Sequence, residues 1–211
     1  MKKITALRVS RGRRKRVNIF LDGKFAFSLE AEVVAKEGLQ VEQVLSADQI
    51  EALASADQFH RYLNAAVHYL NYRPRSESEL RGRLRQRGFD GDTQEAVIAK
   101  LKEQGLVDDM AFAQFWKNDR QSFSPRSQWL TKLELKRKGV ANDIIDQVVN
   151  AIDDDDSAYR AALSKARSLP QSDYQGFRRR LGSYLQRRGF SYAVINHTVE
   201  QVWQEQGSSS R

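Results

Sequence analysis

The groups in this sequence that could do chemistry are three histidines, an acidic doublet, an acidic run and a surplus of arginine. His60 and His68 stand eight residues apart on one predicted helix, beyond the i, i+4 spacing of a helical metal pair, and His197 is far from both in sequence. The doublet Asp108-Asp109, in "GLVDDMAFAQFW", suits helix capping, and Asp153 to Asp156 suit a solvated linker that also starts a helix. The sequence has no G-x-x-x-x-G-K-[ST] loop and no H-E-x-x-H motif. Cysteine is absent, which excludes disulfides, thiolate metal sites and cysteine nucleophiles. No catalytic residue, metal or cofactor is therefore assigned, and binding is the chemistry that remains. Arginine is suited to it, because its planar fork pairs with phosphate or carboxylate.

The 211 residues carry 35 Lys+Arg against 27 Asp+Glu, a net charge of +8. Such a surface attracts nucleic acid, acidic proteins or anionic membranes. No apolar run reaches the roughly 18 residues that span a bilayer, and the N-terminus lacks a signal-peptide core, so no membrane partner and a cytoplasmic location are expected.

The cations are positioned by elements of two kinds. Near the N-terminus "ITALRVS", "RVNIFLDG" and "KFAFSLE" alternate apolar and polar residues, and Asp22-Gly23 signals a hairpin. The alternation predicts that Val17, Ile19 and Leu21 of the second segment and Phe25, Phe27 and Leu29 of the third lie on one face. "EVVAKEGLQV" predicts a covering helix ending at Gly38, and Ser46 with Gln49 a capping box. "RGRRKR" lies between the first two strands, a basic turn whose Arg11, Arg13, Arg14, Lys15 and Arg16 are candidate phosphate contacts.

The rest repeats. Gly88, Gly139 and Gly189 lie 51 and 50 residues apart. Leucine stands four residues before each (Leu84, Leu135, Leu185), basic residues lie just ahead, and Phe89, Val140 or Phe190 follows. Recurrence at several offsets with one period indicates an array of similar units. Each glycine suits the left-handed position that ends a helix, with the next apolar residue folding back on the last turn. Ser76 with Glu79, Asp92 with Glu95, Ser124-Pro125, Asn142 and Ser191 mark predicted starts. Further helices are expected over 57–71, 109–121 and 157–168.

The expected fold is mainly α, an elongated tandem array of three three-helix repeats after a small β-hairpin-containing segment. The expected boundaries are 1–56 for the β-rich domain with its covering helix, then 57–105, 106–153 and 154–206 for the repeats, with a disordered tail at 207–211. Leu80 and Leu84, like Phe177, Leu181 and Leu185, should face a core. That leaves Arg73, Arg75, Arg81, Arg85, Arg126, Lys132, Arg179, Arg180 and Arg187 as the candidate basic face.

"RPRSESELRGRLRQRGF", "VIAKLKEQGLVDDMAFAQFW", "LELKRKGV" and "RRRLGSYLQRRGFSYAVI" resemble the signature segments of the bacterial RecX family, over about 57 to 205. Trp129 and Thr131 depart from it, standing where arginine or leucine is commoner. The resemblance implies a non-enzymatic regulator of the RecA recombinase. Such a regulator binds RecA and its nucleoprotein filament and limits filament growth, ATPase, strand exchange and coprotease activity. It also implies weaker contacts with single- and double-stranded DNA. An alternative reading is a general DNA-binding protein whose basic three-helix units act like helix-turn-helix modules.

Overall fold

The computed structural model describes residues 1–10, 16–89, 91–170 and 173–209. Arg11, Arg13, Arg14 and Lys15 of the basic turn lie outside the described residues. The chain divides into two compact units, Met1–Arg73 with Leu80–Leu106, and Pro74–Glu79 with Val107–Arg211.

The first unit opens with strands β1 (Lys2–Val9), β2 (Arg16–Leu21) and β3 (Lys24–Glu30), then helix α1 (Ala31–Lys36) and a short β4 (Val44–Leu45). The sheet is antiparallel in the order β3-β2-β1-β4. Asp22 and Gly23 both take positive φ, 49° and 80°, the geometry of a two-residue hairpin turn matched to strand twist. Val17, Ile19 and Leu21 are buried with Ile4, Leu29 and Val33, as the alternation predicts. Phe25 is a correction, being 58% exposed. The β2–β3 register shifts after Ile19, so Phe25 sits opposite Phe20 and leaves the core face for an edge-to-face contact at 5.9 Å. One extra residue reverses the face that every later side chain takes.

Helix α2 (Ala47–Leu70) starts at the expected capping box on Ser46 and Gln49. It then runs unbroken through residue 56, where the sequence reading placed a change of domain and only a shorter helix over 57–71. No glycine or proline interrupts it. Buried Asp57 ties it to the sheet, accepting from Arg16 Nη2 at 2.9 Å and from the Glu30 amide at 2.7 Å. Helix α4 (Gly91–Glu103) packs on α2, burying Val97, Ile98 and Leu101, while Tyr62 stacks on Phe89 at 4.3 Å. Because α4 begins at Gly91, Asp92 lies inside its first turn instead of capping it.

Helix α3 (Glu77–Arg85) has its first turn in the second unit and its remainder in the first. In the second unit, α5 (Asp109–Phe123), α6 (Gln128–Arg137) and α7 (Asn142–Val149) pack together around Phe112, Leu135 and Ile145. Helices α8 (Asp154–Ala166), α9 (Tyr174–Gln186) and α10 (Tyr192–Ser209) do the same around Phe177, Leu181 and Leu185. The cores repeat with the sequence: Ile145, Val148 and Val149 are buried in one bundle, and fifty residues later Ile195, Val199 and Thr198 are buried in the other. Each fully buried aliphatic side chain contributes about 1.5–3 kcal/mol before its entropy cost.

Two predicted starts shift. Ser124 is the C-cap of α5, and the N-cap of α6 is Ser127, whose hydroxyl accepts from the Leu130 amide at 3.1 Å. Ala141 precedes α7, so Asn142 is its first residue and not its cap. Helix α10 continues to Ser209, so residues 207–209 of the expected tail are helical. Among the described residues no helix is long and apolar enough to cross a membrane.

Candidate basic interface

Helices α3, α6 and α9 carry the repeated arginines, and all end the same way. Gly88, Gly139 and Gly189 take φ of 73°, 75° and 85°. The amide one residue on then donates back to a leucine carbonyl: Phe89 to Leu84 at 3.0 Å, Val140 to Leu135 at 3.2 Å and Phe190 to Leu185 at 3.4 Å. The carbonyl ends of these helices are thus closed by the backbone, and the cations before the glycines are at liberty to serve elsewhere.

Two of those cations hold repeats together. Lys138 Nζ pairs with Glu79 at 2.6 Å, and the Lys138 carbonyl accepts from Ser76 Oγ at 2.6 Å. Fifty residues on, the Arg188 carbonyl accepts from the Ser127 amide at 3.0 Å, while its guanidinium donates to Ser124 Oγ at 2.8 Å and the Pro125 carbonyl at 3.0 Å. The acidic doublets belong to these same junctions. Asp108 and Asp153 cap their own helices, α5 and α8. Their neighbours cap the helix of the preceding repeat: Asp109 accepts from the Glu77 amide at 2.8 Å and Asp154 from the Gln128 amide at 2.7 Å. Burial raises the Asp154 pKa, and neighbouring Asp155 and Asp153 add to this, against the lowering effect of the Gln128 amide.

Arg126 also sits at a junction. It pairs with Glu134, which accepts from Trp116 Nε1 at 2.8 Å and Arg120 Nε at 2.9 Å. Its pKa is lowered first by desolvation and then by Arg120 and Arg188 nearby. One carboxylate, on α6, therefore pairs with Arg120 of α5 and with Arg126 just ahead of α6; Arg120 and Glu134 do not stand out in the sequence because only the packing of α5 on α6 brings them together.

The other predicted residues divide into paired and unpaired. Arg81 forms a forked pair with Glu95, with one contact at 2.8 Å, and Lys132 pairs with Asp146 at 2.5 Å. Arg16 is held by Asp57 and the Ser28 carbonyl. Arg73 and Arg75 are half-buried and engaged within the fold. By contrast the side chains of Arg85, Arg179, Arg180 and Arg187 are exposed and have no hydrogen bond or ion pair among the described residues. Arg178 is exposed as well and donates to Asn196 Oδ1 at 3.3 Å. Arg180 and Arg187 lie seven residues apart, about 10 Å along the helix axis. Trp129 is 63% exposed, whereas Thr131 is buried and bonds to the Ser127 carbonyl, so the two departures in α6 have opposite fates. His60 lies 4.0 Å from Glu32, His68 contacts Tyr72 at 5.2 Å, and no metal-binding group of three ligands occurs among the described residues.

The chain matches four family models in order: the regulatory protein RecX N-terminal domain over residues 2–46, and the first, second and third RecX three-helix domains over 63–101, 108–149 and 153–199. It is 30% identical over 207 residues to the regulatory protein RecX of Clostridium perfringens (strain SM101 / Type A), covering 96% of this chain and 97% of that one. To the regulatory protein RecX of Bacillus pumilus (strain SAFR-032) it is 28% identical, covering 96% and 78%. Its fold is similar to a crystal structure of regulatory protein RecX, with a TM-score of 0.68 and 25% identity over 95% of this chain and all of that one. RecX from Lactobacillus salivarius gives a TM-score of 0.58 at 25% identity over 71% of this chain. The β segment, the three helical repeats and their order are therefore those of one family end to end, and this chain belongs to the RecX family of regulatory proteins.

Proposed function

We propose that the chain is a non-enzymatic, cytoplasmic regulator that binds RecA and its filaments on DNA. It would limit filament growth, ATP hydrolysis, strand exchange and coproteolysis. Membership of the RecX family over the whole chain carries this reading. ATP chemistry stays with the partner, since this sequence holds no phosphate-binding loop.

Of the predicted cations, those assigned to binding are the ones without an internal pair among the described residues: Arg85 on the first repeat and Arg179, Arg180 and Arg187 on the third. An exposed arginine with no internal partner offers its full fork to a phosphate or carboxylate. Arg81, Arg126 and Lys132 already hold carboxylates, and their exchange for an outside anion would cost an internal pair. Contacts to single- or double-stranded DNA through the same arginines would weaken steeply with salt.

Co-sedimentation with preformed RecA filaments on single-stranded DNA tests the assignment. Combined Arg179→Glu, Arg180→Glu and Arg187→Glu should weaken co-sedimentation at least about tenfold, since three charge-assisted contacts are reversed. The melting temperature should stay near that of the wild type. Undiminished binding would refute the assignment. Equal binding to naked DNA and to filaments, erased together by salt, would favour the general DNA-binding reading.

A further inference from the structure

Counting from the repeat glycines exposes a difference among the three repeats. Seven residues before them stand Arg81, Lys132 and Gly182, and seven after them stand Glu95, Asp146 and Asn196. In the first two repeats these positions join as ion pairs, Arg81 with Glu95 and Lys132 with Asp146, each bridging the second helix of its repeat to the third. In the third repeat both partners are gone. A groove of about 440 Å³ opens there between α9 and α10, lined by Arg178, Arg179, Gly182, Tyr192, Ile195 and Asn196 among others.

The fold does not require glycine at this place. Gly182 is in the interior of α9, its φ is not positive, and a Cβ added to it would meet only Ile195 Cγ2 at 3.6 Å, an ordinary contact. Glycine in a helix interior is unfavourable relative to alanine. The space is therefore kept open against local preference. Its charge has changed too. The groove holds two arginines and no carboxylate, and Arg178 reaches the neutral amide of Asn196 at 3.3 Å where the other repeats place an acid.

We propose that this groove binds an acidic side chain, aspartate or glutamate, presented by a partner protein. The chain itself displays the occupant: Glu95 and Asp146 are carboxylates set against a cation between the same pair of helices in the other repeats. An outside carboxylate would restore the missing half of that pair on Arg178 and Arg179, with Asn196 supplying an amide donor. Tyr192, 74% exposed at the rim, and Ile195 beneath give an apolar wall for the residue next to the acid. The inference rests on the partner reading above only for which protein supplies the acidic segment.

The test uses the full chain and a fluorescein-labelled tetraglutamate peptide, followed by anisotropy, with tetralysine and a short labelled oligothymidylate beside it. The combined variant Gly182→Lys and Asn196→Asp rebuilds the ion pair of the second repeat and leaves the net charge unchanged. Tetraglutamate should bind the wild type, and the variant should weaken it at least about tenfold, the worth of one charge-assisted contact. The variant's helicity and melting temperature should be equal to or above those of the wild type, and oligothymidylate binding should not move. If the double variant does not fold, Asn196→Asp alone carries the test, because it sets a carboxylate beside Arg178. No tetraglutamate binding by the wild type, or equal binding by the variant, would overturn the proposal. So would selective loss of oligothymidylate, which would make the groove a nucleic-acid site. The assay contains neither recombinase nor DNA filament, so the groove can fail while the filament reading stands, and the reverse.

Discussion

Glu134 is the shared acid of the junction cluster. Its side chain is 11% exposed and faces Arg120, Arg126 and the indole N–H of Trp116. Removing the charge leaves Arg126 facing Arg120 without its acid, while Arg120 keeps Asp119 at 3.0 Å. Glu134→Gln should therefore cost about 2–3 kcal/mol, somewhat less than the loss of one partner of a fully buried pair because both arginines keep some solvent. Urea unfolding measures this, and a loss below half a kilocalorie would mean that the cluster is solvated in solution. Asp154 gives a pH-dependent counterpart. Its pKa is raised in the folded chain by burial and by neighbouring aspartates. A raised carboxyl favours folding in its protonated form, so its contribution is full at low pH and is lost as pH rises through the folded value. Asp154→Asn keeps the acceptor for the Gln128 amide without the charge. It should melt at or above the wild type at pH 7, with the advantage disappearing below about pH 4. Asp154→Ala removes the acceptor and should cost about 1 kcal/mol, as loss of a helix cap does.

At the scale of elements, the repeat glycines are equivalent in conformation and unequal in surroundings. All three need positive φ, which costs another residue about 1–2 kcal/mol. Around Gly88 an added Cβ would meet open space. At Gly139 it would collide with Ser78, and at Gly189 with Ser127 Oγ at 2.6 Å and Leu130 Cβ at 2.7 Å, the junctions between repeats. Gly139→Ala and Gly189→Ala should thus destabilise more than Gly88→Ala by at least about 1 kcal/mol, an overpacking cost. Equal losses in urea unfolding would show that the junctions yield. The helix ends themselves were readable in the sequence, because Gly, Leu and the following apolar residue form a local motif. The starts were less so. Ser124-Pro125 has the composition of a cap, yet Ser127 takes the role once its amide bonds to the Arg188 carbonyl and Asp154 covers the Gln128 amide. Those partners come from a different repeat, and no local pattern announces them. Phe25 escaped for a similar reason, since a register shift leaves no mark in the alternation.

Across the whole molecule, the period of about fifty residues made the repeats legible, while the candidate site was legible only as a set of cations. Composition gives each arginine the same weight. The structure separates Arg126, which braces a junction, and Arg81, which pairs with Glu95, from Arg179, Arg180 and Arg187, which have no hydrogen bond or ion pair among the described residues. That separation depends on acids placed by tertiary packing, and the proposal that the unspent arginines act on the partner follows from it. RecA ATPase on single-stranded DNA tests it most directly, with the wild type, the Arg179→Glu/Arg180→Glu/Arg187→Glu variant and a Lys132→Ala variant each titrated onto preformed filaments. Suppression by the wild type and by Lys132→Ala is expected well below one chain per protomer, with little suppression by the triple variant. Suppression by the triple variant equal to that of the wild type, or none by the wild type, would contradict it.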